Sequence, residues 1–219
     1  NEISFSAWGG GDVGYLNPFG NGRGIELKVQ LVRASIAAMH AILEVDDRAR
    51  FVHCDPAINI VAAPDRPHEI DAAEGHRQAQ YQAWDMIAGL SWPQLGGNAR
   101  LLDIVGLNYY SNNQWIHGGQ TLDIGDRQYR PLHRILMEVS ARYGRPIVLS
   151  ETGIEFDRRP EWLRYTASEL KLARKKGVPV EGLCLYPVLN HYGWDDDRPC
   201  QNGLLERERA DGKRMVYGR

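Results

Sequence analysis

Arg145-Pro146-Ile147-Val148-Leu149-Ser150-Glu151-Thr152-Gly153 decides the fold. Four apolar residues rise into Ser150 and Glu151, and Gly153 then breaks the run. An unbroken apolar run reads as a strand buried on both faces, as in parallel sheets covered by helices. A carboxylate at its C-terminal end, followed by a glycine, sits where parallel α/β barrels keep their reactive groups. The plainer alternative is a solvated loop acid. A second carboxylate, Glu2, follows an asparagine at residue 1.

Outward from this strand the pattern alternates. Apolar strand-like runs occupy residues 50–56, 101–110, 146–150 and 180–188. Helical periodicity covers residues 25–43, 72–90, 132–143 and 161–176. In the first helix Leu27, Leu31, Ala34, Ala38 and Ile42 form the expected buried stripe. Tyr81, Trp84, Ile87 and Ala88 do so in the second. Gly144 and Gly177 read as helix stops, the latter after three basic residues. Residues 7–24 form a glycine-rich loop. Such alternation implies βαβ crossovers and a parallel sheet, hence an α/β protein of the (β/α)8 barrel type.

Only four strands are visible where a closed barrel needs eight and typically about 250 residues. The 219 residues are therefore expected to be a single segment, the second half of a barrel. The first half would be supplied by the rest of a longer chain.

Composition narrows the function. The formal net charge of −2 gives no electrostatic footprint for nucleic acid. No apolar run reaches the ~20 residues of a membrane span, and no signal peptide is visible, so the expectation is a cytoplasmic protein without a membrane partner. Cys54, Cys184 and Cys200 are too scattered for a disulfide or zinc framework. Cys54 and Cys184, in strand-like runs, are expected to be small buried hydrophobes.

The segments Asn1-Glu2, Gly106-Leu107-Asn108-Tyr109-Tyr110, Ser150-Glu151-Thr152-Gly153 and the stretch 186–197, in that order, resemble the C-terminal half of a retaining (β/α)8 glycoside hydrolase of clan A, nearest to the family 1 β-glucosidases. The resemblance implies hydrolysis of β-glycosidic bonds by two glutamates, one ionised to attack and one holding a proton for the leaving oxygen. Glu151 would be the nucleophile and Glu2 the general acid/base. Tyr110 would donate to the nucleophile, Asn1 would contact the sugar 2-hydroxyl, and Asn108 would lie among the substrate-binding residues. The implied partner is a carbohydrate, and no cofactor or metal is needed. Three departures stand out: Ile3 where the family has proline, Thr152 where it has asparagine, and Tyr186-Pro187 where it has Trp-Ser. The sugar specificity therefore does not transfer.

Other residues are two-sided. Trp194 reads as a sugar-stacking platform or a packed loop residue. Asp195 and Asp196 read as hydroxyl acceptors or a solvated acidic loop. His53 and Asp55 end a strand on the expected ligand side, with His53 either structural or in contact with substrate. His191 is a further substrate candidate. Trp8 and Trp115 lie near the site in sequence, or in the core. Two rival functions remain. A metal-dependent hydrolase would use His53, Asp55, His191 and Asp195, but the sequence holds neither an H-x-H pair nor an H-E-x-x-H helix. A sugar-binding or scaffold barrel would have kept the fold and lost turnover.

Overall fold

The computed structural model describes residues 1–194 and 196–218. A short helix α1 (Ile3–Ala7) runs into a π-turn at Trp8–Asp12, and α2 (Gly24–Val45) follows the glycine-rich loop. Then come β1 (Val52–Pro56), β2 (Asn59–Val61), α3 (Ile70–Gln78), α4 (Gln82–Ala88), β3 (Ile104–Asn108) and β4 (Gln114–Ile116). The chain continues through α5 (Leu132–Tyr143), β5 (Ile147–Thr152), α6 (Arg159–Lys175) and β6 (Val180–Leu185). It closes with the hairpin strands β7 (His191–Tyr192) and β8 (Pro199–Cys200).

The four strands read from the sequence form one sheet in the order β1-β3-β5-β6, every pair parallel. Helices supply each crossover, as the alternation demands. Val105 and Leu107 of β3 and Ile147 and Leu149 of β5 share one face, and all four are fully buried. They join Val32, Ile36, Trp84, Leu136, Val139 and Trp162 from the helices in a single hydrophobic cluster. The opposite face carries Cys54, Gly106 and Ser150. A methyl group built on Gly106 would lie 2.6 Å from Cys54 Sγ and 2.8 Å from Ser150 Oγ, so any larger residue here would force those side chains to shift. Removing a wedge from the helix-facing layer should be costly. Leu149→Ala is expected to lower unfolding stability by about 2–5 kcal/mol, read from denaturant melts.

Several expectations need correction. The 72–90 helix is broken by a 3-10 turn at Ala79–Tyr81. Gln80 explains the break, because its side chain bonds both backbone groups of Ile58 and the carbonyl of Arg77. These tertiary bonds tighten the chain where periodicity alone reads straight through. In α2 the buried row is Lys28, Val29, Val32, Ile36 and Met39, while Ala34, Ala38 and Ile42 are exposed. Cys184 is exposed and Cys54 half-buried; Cys200 is the buried one. Strand alternation turns Leu183 toward the core and leaves Cys184 on the other side. The small parallel pair β2–β4 has no counterpart in the reading of the sequence, and it places Trp115 against the Ile60 cluster and His76. Gly144 does end α5, at φ 59°. No helix among the described residues is long and apolar enough to cross a membrane.

Candidate active site

The C-terminal ends of the strands bring four of the singled-out residues together with Asn1. Glu151 lies near the end of β5, in register with Asn108 at the end of β3. The ladder is irregular there, between Leu107 and Asn108 and again beyond Leu149. Such irregularities re-aim side chains. Each Glu151 oxygen accepts one hydrogen bond: Oε1 from Asn1 Nδ2 at 3.0 Å, and Oε2 from the Tyr110 hydroxyl at 2.9 Å.

Glu2 arrives from the other side of the cluster. Its backbone N–H donates to the Cys54 carbonyl at 2.8 Å, which sets the chain start beside β1. Its backbone is left-handed, at φ 51° and ψ 53°. For a side chain with a Cβ this conformation costs about 1–2 kcal/mol and persists only where surrounding structure enforces it. Asn108, fully buried, joins the two halves. Its Nδ2 donates to Glu2 Oε1 at 3.0 Å and to Asn1 Oδ1 at 3.1 Å, while its Oδ1 accepts from Ser150 Oγ at 2.7 Å. Glu2 and Glu151 are thus bridged by the amides of Asn108 and Asn1.

The electrostatics differ from group to group. Burial pushes the Glu2 carboxyl above its usual range and the charge of Glu151 pushes the same way, while the bond from Asn108 opposes both. Burial, with the adjacent Glu151 carboxylate, holds the Tyr110 hydroxyl far above its ordinary value, so it remains a proton-bearing donor. Tyr186, just past β6, lies close enough to add to that effect. An arrangement of this kind can hold a proton on one acid beside a second acid gripped by two donors.

The remaining candidates are dispersed. His53 faces the helices, with Nε2 3.2 Å from Met39 Sδ and its carbonyl bonded by the Trp84 indole. Burial lowers its pKa to about 4. It is a packed residue rather than one that faces the acids, because alternation along β1 sends Cys54 to one face and His53 to the other. His191 lies in the hairpin with its ring 5.8 Å from that of Tyr186. Trp194 is 87% exposed in this chain. Asp196 is tied to Arg198, and Asp195 lies outside the described residues. Trp8 is half exposed, its ring against Phe5 and Tyr15. The residues of the metal reading are held apart: His53 against Met39, Asp55 on Ser4, His191 against Tyr186. Among the described residues no group of three or more His, Cys, Asp or Glu could hold an ion. Ser4 is absent from the reading of the sequence; Ser150 and Tyr186 enter it only as motif positions and Asp55 only as a strand-end residue, none with the role its hydrogen bonds or position give it here.

No family model matches the chain, and no curated protein does. Solved structures do. The AHE enzyme from Alicyclobacillus herbarius superposes with a TM-score of 0.79 at 19% identity, over 99% of this chain and 60% of that one. A Thermotoga maritima β-glucosidase in complex with glucoimidazole gives 0.79 at 18% identity, again over 99% and 60%. A family 1 β-glucosidase from Thermotoga maritima gives 0.74 at 18%, over 99% and 59%. The fold is therefore that of part of a (β/α)8 barrel, the fold of these structures. The chain spans about 60% of the length of the structures it resembles, which fits the C-terminal half of such a barrel.

Proposed function

We propose that this chain carries the catalytic carboxyls of a retaining β-glycosidase. One observation supports the reading most: Glu2 and Glu151, far apart in sequence, are bridged by the amides of Asn108 and Asn1 at the strand ends. In this reading Glu151 attacks the anomeric carbon while the glycosidic C–O bond breaks and Glu2 passes its proton to the leaving oxygen. A water molecule then gives its proton to the Glu2 carboxylate, attacks the same carbon and frees Glu151. Two displacements at one carbon retain its configuration. In this reading Asn1 meets the sugar 2-hydroxyl, and Asn108, bonded to both, orients Asn1 and Glu2. The chemistry is proton transfer and carboxylate attack, which needs no cofactor. The remaining strands of the barrel come, in this proposal, from further residues of a longer chain.

Tyr110 orients Glu151 and stabilises its charge. Tyr110→Phe removes one hydrogen bond to a charged group, worth about 1.5–3 kcal/mol, so kcat is expected to fall roughly 10- to 100-fold. Steady-state kinetics on the best substrate measures this. That substrate comes from a panel of fluorogenic β-glycosides offered to the full-length protein. The proposal expects hydrolysis of at least one member; none, with the fold intact by circular dichroism, contradicts it.

A further inference from the structure

Asp55 is the last charged residue of β1 and only 1% exposed. Both of its oxygens are engaged by Ser4: Oδ1 accepts the backbone N–H at 3.0 Å and Oδ2 accepts the hydroxyl at 2.7 Å. Ser4 lies two residues after Glu2, in the first turn of α1. That helix has five residues, too few to be stable on its own, and no side chain caps it at Glu2. Its first-turn N–H at Ser4 is satisfied from another element, by Asp55. The preceding residue of β1, Cys54, accepts the N–H of Glu2. Two successive β1 residues therefore clamp the chain at Glu2 and just beyond it, where Glu2 is left-handed and needs outside restraint. Lys28, 7% exposed, and Glu2 are the charged groups that act on Asp55 across this packing, in opposite senses.

We propose that Asp55 is a positioning residue for Glu2, acting through Ser4. The inference rests on the proton-donor role assigned to Glu2 above. Loss of the clamp leaves the Tyr110 bond to Glu151 in place and falls first on Glu2, which lies between the clamp and Asn1. The effect therefore depends on how much help the leaving group needs. In the full-length protein, Ser4→Ala and Asp55→Asn are expected to lower kcat/KM for an alkyl β-glycoside about tenfold or more. A 2,4-dinitrophenyl β-glycoside, whose leaving group departs without a proton, should change less than about twofold. Ser4→Thr, which keeps the hydroxyl, should recover most of the lost rate. An equal fall for both substrates marks a general structural role and overturns the proposal.

A second readout needs no turnover. Asn108 Nδ2 donates to Glu2, so its side-chain amide resonances report the Glu2 pose. They are expected to move in Ser4→Ala as they move in Glu2→Gln. Unmoved resonances overturn the positioning role even in a protein that hydrolyses no glycoside. Where no glycoside is hydrolysed, resonances that move in Ser4→Ala and return in Ser4→Thr uphold it.

Discussion

Glu151→Gln should abolish turnover, lowering kcat by roughly five to six orders of magnitude, the scale seen when a covalent nucleophile is removed. Five decades correspond to about 7 kcal/mol of lost transition-state stabilisation. The substitution is nearly isosteric, and Glu151 is half-buried outside the hydrophobic cluster, so the fold should survive. The amide nitrogen cannot accept from Asn1 or Tyr110, which loosens one of the two bonds that Glu151 makes without emptying the pocket. Sugar affinity should persist, measurable by calorimetry, while hydrolysis of a dinitrophenyl β-glycoside disappears. Glu151→Ala in the presence of azide should yield a glycosyl azide of inverted configuration, because the small anion attacks from the vacated side. A scaffold barrel without turnover shows neither the loss nor the rescue.

Glu2→Gln should produce the second-largest effect, and a selective one. General acid–base catalysis contributes about 10²- to 10⁴-fold. That range is the expected fall in kcat/KM for an alkyl glycoside, while a dinitrophenyl glycoside should be nearly unaffected in the first displacement. The pH profile carries the same information. Burial and the Glu151 charge raise the Glu2 carboxyl above its ordinary 4.5. A raised acid keeps its proton to higher pH, so the active form is lost as pH climbs through the raised value. The descending limb of kcat/KM should lie above 4.5 in the parent and vanish in Glu2→Gln. A limb that persists unchanged in the variant would assign it to another group.

The strand framework was legible because parallel strands covered by helices must be apolar throughout. The runs at 101–110 and 146–150 show this plainly: β3 lies inside the first, and β5 fills most of the second and runs two residues further, through Glu151 to Thr152. Helix ends at Gly144 and Gly177 were legible for an equally local reason, since both adopt positive φ. What escaped depends on tertiary partners. Periodicity identifies helical rows in α2 but not which of two adjacent rows meets the sheet, so the predicted stripe fell beside the real one. The Gln80–Ile58 bonds that break the 72–90 helix join residues 22 apart. The two glutamates and Tyr110 were legible through ordered motifs. The amide bridge through Asn108 was not, because it depends on the register between β3 and β5. His53 shows the converse: proximity to a strand end says nothing of which face a side chain takes.

In the proposed reaction Glu151 forms a covalent bond to the sugar while Glu2 supplies the proton. The most direct measurement is mass spectrometry of the full-length protein after incubation with a 2,4-dinitrophenyl 2-deoxy-2-fluoro-β-glycoside, followed by peptide mapping. Fluorine slows both displacements, and the reactive leaving group lets the first proceed, so the intermediate accumulates. One added fluoroglycosyl unit is expected, carried by the peptide that contains Glu151 and absent from Glu151→Gln. A protein that releases dinitrophenol yet carries no label, or carries it on a residue other than Glu151, would contradict it.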